Sequence, residues 1–403
     1  MRILRIRTLL CAIVMMLTFF CALHAQEDAP KHSMEIYGHI MLDAGYNFDQ
    51  VDPDWFDIVR PTRLPAFENQ YGTDGNVYFS VRQTRLGFKT YSETPLGELF
   101  TFFEFEMFGT GADAGQTTFR LRHAYAELGQ IGVGQYWSPF MDIDVFPNTL
   151  EYWGPNGMVL FRNVQFRYMP IQGDTRLTIA LERPGASADQ GIYTDRIELE
   201  GVSFRFPLPD LSAEYRQATD WGYMEVAGML RSIRWEDQNN DGIDLSGSAV
   251  GWGINLSTNV NIGQSSVFKG QVVYGEGVEN YMNDATADIG IENTDDAAAP
   301  VEGVALPMLG IVAFLDHRWN ERFTSSVGYS LFDINNSNAQ SDNAFSSGSY
   351  VLANLLFYPV ERVMAGVEYQ WAHRENFNDG WSTSMTKIQF SFKYNFTHTF
   401  FKN

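Results

Sequence analysis

Charged residues in one stretch of this 403-residue chain stand at every second position between large apolar ones. Phe103, Phe105 and Met107 bracket Glu104 and Glu106, and Phe119 and Leu121 bracket Arg120 and Arg122. Successive side chains of a strand point to opposite faces, so the apolar residues share one face and the glutamates and arginines share the other. The same period groups Arg167 with Asn163 and Gln165, and Arg176 with Glu182. Arg82 and Arg85 differ in parity and reach one face only if a bulge lies between them. Fixed guanidinium and carboxylate charges along a wall break no bonds. They set the field felt by an ion moving past them. Such chemistry needs a water-filled space enclosed by strands whose outer surface is apolar.

Other chemistries fit less well. The histidines beyond the first 25 residues are His32, His39, His123, His317, His373 and His398, and no G-x-S-x-G accompanies them, so no catalytic reading is made. His123 has lipid-side parity near a strand end. Asp237, Asn239 and Asp241 begin a calcium-loop pattern, DQNNDG, but the twelfth position is Ser248 rather than Glu. A polar hairpin is the competing reading there. Asp284, Asp288, Glu292, Asp295 and Asp296 read as a solvated acidic surface. No cofactor is expected.

Composition agrees with an enclosed β structure. The chain has 28 Lys plus Arg against 49 Asp plus Glu, a formal charge of −21 that excludes a nucleic-acid binder. Aromatics at 15%, charged residues at 19% and a mean hydropathy of −0.21 are too aromatic for disorder and too polar for a helical membrane protein. Arg2, Arg5 and Arg7 precede an uncharged stretch from Thr8 to Leu23, with Ala25 at a plausible cut, so residues 1–25 read as a removable export signal. Both cysteines, Cys11 and Cys21, leave with it. Removing three arginines and no acid takes the charge from −21 to −24.

The longest apolar run beyond the signal, Val304 to Leu315, carries Pro307 and Gly310 and is too short for a membrane helix. An exported chain with alternating segments of about 10 residues fits an outer-membrane barrel. The last segment alternates most clearly, with Ile388, Phe390, Phe392, Tyr394 and Phe396 on one parity and Gln389, Ser391, Lys393 and Asn395 on the other. Sixteen strands are expected, near 34–47, 76–90, 97–109, 118–128, 130–137, 158–169, 174–183, 211–218, 221–235, 248–260, 265–277, 304–319, 321–333, 348–358, 362–374 and 384–396. Short and long connections alternate between them. Residues 196–206 also alternate, but Pro207 and Pro209 follow and an even strand number is the rule, so they are assigned to a folded loop. The fold expected is an all-β transmembrane antiparallel barrel over 34–396, preceded by a short periplasmic segment, 26–33, and followed by a tail, 397–403.

An arginine on the lipid face costs roughly 2–4 kcal/mol near the midplane, so the arginines belong inside. The loop after the fifth strand, GQYWSPFMDIDVFPNTLEYWGPNG, carries Tyr136, Trp137, Phe140, Asp142 and Asp144 among three prolines. So aromatic a loop is expected to fold into the lumen as a constriction and to set Asp142 and Asp144 across from the arginine row, with Glu104 and Glu106 as opposing lumen acids. An external loop packed on a neighbouring subunit is the other reading.

The blocks FSVRQTRLGFKT, TPLGELFTFFEFEMFG, RLRHAYAELG, GQYWSPFMDID and GPNGMVLFRNVQFRY resemble the DcaP-like porins of Gram-negative outer membranes. The resemblance is strong over 76–170 and architectural beyond. It implies a homotrimer of sixteen-stranded barrels in outer-membrane lipid, each passing small anionic organic solutes such as dicarboxylates. It also implies that Arg82, Arg85, Arg120, Arg122, Arg162 and Arg167 lie near the anion path. Some members carry a long helical segment before the barrel, whereas Gln26–Ser33 leaves no room for one. A barrel with a plugged lumen, acting as an adhesin or structural protein, is the alternative function.

Overall fold

The computed structural model describes residues 32–239, 242–296 and 299–402. The expected export signal, residues 26–31 and Asp241 lie outside the described residues. In chain order the strands are β1 (His32–Asn47), β2 (Asn76–Ser80), β3 (Arg85–Thr94), β4 (Gly97–Phe108), β5 (Thr117–Leu128), β6 (Ile131–Trp137), β7 (Arg162–Ile171), β8 (Thr175–Glu182), β9 (Val202–Arg205), β10 (Asp210–Thr219), β11 (Gly222–Asp237), β12 (Gly247–Ile262), β13 (Ser266–Glu276), β14 (Ile289–Asn293), β15 (Val301–Ala305), β16 (Pro307–Arg318), β17 (Phe323–Ile334), β18 (Phe345–Phe357), β19 (Val363–Asn376) and β20 (Ser382–Lys402). They form a closed antiparallel barrel of sixteen wall strands, β2 and β3 being two parts of one. The barrel closes where β1 runs against β20, from His32 opposite Lys402 to Asn47 opposite Lys387. Closure leaves no open sheet edge at membrane depth.

Several boundaries differ from the sequence reading. Thr397–Lys402 do not trail away as a tail; they continue β20 and pair with Tyr37–His32. Met158–Phe161 belong to a loop rather than to β7, because the Leu160 amide bonds the Tyr281 carbonyl instead of a wall strand. Residues 196–206 hold one helical turn and β9, which pairs only with the outer end of β11, while β8 pairs directly with β10. They add no seventeenth wall strand.

The outer surface follows the expected parity. Phe390, Phe392 and Tyr394 on β20 are exposed while Lys387, Gln389 and Ser391, of the other parity, are buried. Phe103, Phe119 and Leu121 also face outward. The inner surface of β11–β18 is unexpectedly apolar: Met229, Val273, Met308, Val312, Phe314, Phe332, Tyr350 and Leu352 are buried. These residues pack against Phe140, Met141, Val145, Met158 and Val159, which come from the loop 138–161, here L3. L3 therefore lies inside the barrel, and the external reading of this loop falls. The approach is closest where a Cβ on Gly157 of L3 would stand 1.9 Å from the Leu331 carbonyl, and one on Gly310 of β16 would stand 2.3 Å from the Gly157 carbonyl. Only glycine fits there.

Candidate functional site: the pore constriction

L3 is fastened to the far wall by a series of polar contacts. Asp142 accepts from the Tyr223 hydroxyl at 2.6 Å and the Ser257 hydroxyl at 2.7 Å, and Arg216 of β10 reaches Asp144 at 2.7 Å. Asn255 donates to the Phe140 carbonyl at 2.9 Å, and Lys269 to the Phe146 carbonyl at 2.5 Å. At the tip, the Glu368 carboxylate of β19 accepts from the backbone amides of Leu150 at 2.7 Å and Glu151 at 2.8 Å. Asp142 is thus buried in the loop anchor, and neither it nor Asp144 faces the arginine row as expected. Their position follows from Arg216, which the sequence reading did not single out.

The remaining free space lies between L3 and the wall of β1–β7. A cavity of about 480 Å³ opens there, with Arg60, Arg85, Arg120, Arg122, Arg162 and Lys393 in its lining and Glu151 as the one carboxylate. Tyr152, Trp153, Phe146 and Leu160 of L3 form the side facing the arginines.

Four of the predicted arginines come together here, but with unequal freedom. Arg122 is buried, with Nε 2.7 Å from Glu104 and Nη1 2.6 Å from Glu106. Glu104 and Glu106 are therefore not opposing acids across a lumen. They are counter-ions on the adjacent strand, also reached by Arg85 at 3.7 and 3.3 Å. Arg120 makes only a long approach to Glu106, 3.8 Å. Arg162 stacks 5.1 Å from the Trp137 ring, and its Nη1 has no hydrogen-bond partner among the described residues. Arg120 and Arg162 are the guanidinium groups whose charge is least neutralised.

The other predicted residues lie elsewhere. Val81–Thr84 leave the sheet between β2 and β3, which supplies the interruption that Arg82 and Arg85 required. Arg82 is then fully buried, 2.6 Å from Asp57 of loop 48–75, and does not line the cavity. Arg167 is buried over the Tyr136 ring at 4.9 Å, and Arg176 pairs with Glu214 and Glu225 on β10 and β11. A register shift between Glu104 and Phe105 places both Arg122 and His123 inward. It reverses parity in the rest of β5, so Tyr125 faces the lumen and His123 is packed on Phe102, Tyr136 and Trp137, not at the lipid surface.

Two loops join the site from outside the predicted set. Loop 48–75 inserts Arg60 between the rings of Trp55 and Trp153, 4.4 and 4.5 Å from their centroids, and Arg60 pairs with Asp284 at 2.8 Å. Loop 277–306 is tied down by Arg231, which holds Asp288 at 2.8 Å and Asp210 at 3.1 Å. Asp284 and Asp288 are completely buried ion-pair partners, not a solvated surface. Asp237 spends its carboxylate on the amides of Asn239 and Leu245, as a hairpin cap does. Among the described residues no group of three or more His, Cys, Asp or Glu is placed to hold a metal ion.

Glu151, at the tip of L3, accepts from the amides of Val59 and Gly154. Burial pushes its carboxyl up to about 7, against the pull of Lys387. The seated loop prefers the neutral acid, whereas a free glutamate titrates near 4.3. Its contribution to seating is full below about pH 4.3 and is lost as pH rises through about 7. Current noise from L3 is expected to grow between pH 5 and 8 in single-channel records and to become pH-independent in Glu151→Gln; flat noise in the wild type would contradict this.

The sequence matches the family described as DcaP outer membrane protein over residues 24–396, well beyond the 76–170 stretch of strongest resemblance. No curated protein matches it. Among solved structures it is similar to the outer membrane channel DcaP of Acinetobacter baumannii, at 19% identity and TM-score 0.74, covering 91% of this chain and 97% of that one. It is also similar to the anion-selective porin from Comamonas acidovorans, at 10% identity and TM-score 0.56 over 91% and 100% of the two chains. OmpT of Vibrio cholerae in its trimer form gives 10% identity and TM-score 0.54 over 92% and 100%. With the closed barrel and its L3-narrowed lumen, the family match identifies the chain as a β-barrel protein of the Gram-negative outer membrane, a member of the DcaP outer membrane protein family.

Proposed function

We propose that this porin passes small anionic organic solutes, dicarboxylates among them, by passive diffusion, and that it works as a homotrimer. The observation that carries the reading is the lining of the constriction: six basic side chains and the carboxylate of Glu151 stand on it, and although Arg60, Arg85 and Arg122 are paired with Asp284, Glu104 and Glu106 behind it, Arg120, Arg162 and Lys393 are not closely paired. Two of them are the least neutralised: Arg120 reaches only Glu106, at 3.8 Å, and Arg162 forms no ion pair among the described residues and leaves Nη1 without a hydrogen-bond partner. The acidic charge of the whole chain does not oppose anion entry, because local side chains govern the potential in a narrow low-dielectric passage. The Comamonas and Vibrio neighbours, named as anion-selective and as a trimer, are in keeping with both parts of the reading.

The test is solute flux into proteoliposomes. Succinate is expected to enter faster than putrescine, a cation of similar length, by about tenfold, the effect of roughly 1.4 kcal/mol of favourable potential. Equal entry, or faster putrescine, would refute anion preference.

A further inference from the structure

Beyond the layer of Arg85 and Arg122 the lumen opens into a second recess of about 360 Å³, lined by Tyr37, Lys89, Phe100, Phe102, Tyr136 and the paired acid Glu104 together with that layer. β3 runs from the long-loop end to the short-turn end, so Lys89 lies about 13 Å nearer the periplasm than Arg85. Solutes leaving the constriction pass it.

Two features make this recess more than a widening. The Lys89 ammonium stands 4.8 Å from the centre of the Tyr37 ring and 5.7 Å from that of Phe102. Its register neighbour on β1, Glu35, accepts instead from the Thr397 hydroxyl at 3.1 Å, and Glu104 is occupied by Arg122 and by the Tyr37 hydroxyl at 2.6 Å. Among the described residues no ion pair neutralises Lys89. The second feature is the aromatic floor. Phe102 stacks on Phe100 and on Tyr37, with centroids 6.2 and 6.5 Å apart. Gly87 makes that floor possible: a Cβ there would stand 2.3 to 2.5 Å from atoms of the Tyr37 ring and push it into the recess.

We propose that this recess is a second binding station, where an aromatic monocarboxylate that has left the arginine layer rests its carboxylate on Lys89 and its ring on Phe100. The proposal rests on the anion-selective reading above. Two stations in series let an ion bind favourably and still leave, because occupancy of the first speeds departure from the second.

The experiment is current block by benzoate or acetate in a planar bilayer holding the full-length protein, with the anion added to one side at a time. Benzoate added on the periplasmic side is expected to reside longer than acetate. Lys89→Gln should lower the periplasmic-side association rate about threefold or more and leave the extracellular-side rate unchanged, and Lys89→Arg should retain it. Phe100→Leu should shorten benzoate events without altering acetate. An unchanged periplasmic rate in Lys89→Gln, or an equal fall from both sides, would overturn the station while leaving anion selectivity intact. Cation preference in the wild type would overturn the station together with the reading beneath it.

Discussion

Replacing Arg120 and Arg162 together with glutamine is expected to lower the anion-to-cation permeability ratio at least about tenfold. A unit charge about 6 Å from a permeating ion contributes about 0.7 kcal/mol at a dielectric near 80, so two such charges change anion permeation by a factor of about ten, and their opposite effect on cations adds to the change in the ratio. These two are chosen because they are the least neutralised among the described residues, Arg120 standing 3.8 Å from Glu106 and Arg162 forming no ion pair, whereas Arg122 is held by Glu104 and Glu106 at 2.7 and 2.6 Å. Arg122→Gln is a different experiment. It leaves two buried carboxylates with Arg85 as their main partner, at 3.7 and 3.3 Å, so it should shift selectivity towards cations and weaken the wall locally. The measurement is the zero-current potential in a salt gradient. A double variant with the wild-type potential would remove Arg120 and Arg162 from the mechanism.

The second large effect is expected at the loop anchor. Glu368 is fully buried and accepts from the amides of Leu150 and Glu151, from Asn354 at 2.9 Å and from Gln370 at 2.5 Å. Glu368→Ala orphans those donors, and an orphaned buried donor costs about 1–3 kcal/mol. The L3 tip loses two of them, so its seating weakens by roughly 2–6 kcal/mol. Larger and noisier single-channel conductance should follow, while the thermal stability of the barrel changes little because the strand ladder is untouched. A disulfide from Asn148→Cys and Asn354→Cys, residues already joined at 2.8 Å, should quieten the channel again. Quiet wild-type conductance in Glu368→Ala would show that the tip is held by other contacts.

The barrel was legible in the sequence because lipid and water impose a period of two on every wall strand. What parity could not show was where the period breaks. One register shift beside Arg122 turned His123 and Tyr125 inward, and one interruption at Val81–Thr84 buried Arg82 instead of exposing it. The inward fold of L3 could be read from its aromatics, but not the side it takes. A signal for that side was present in Val304 to Leu315, which is apolar at both parities: one face meets lipid, and Met308, Val312 and Phe314 on the other pack against L3 or its neighbours. Arg60, Arg216 and Arg231 escaped notice because their partners Asp284, Asp144 and Asp288 are distant in sequence and come close only through loop insertion. Long-range ion pairs leave no local pattern.

In the proposed function, the gap between L3 and the arginine wall conducts and prefers anions. Its most direct test is the reversal potential of the purified wild-type protein in a planar bilayer under a salt gradient. The arrangement of Arg85, Arg120, Arg122, Arg162 and Lys393 predicts stepwise conductance with a potential of anion-selective sign. A potential of cation-selective sign, or an intact barrel that carries no current, would contradict it.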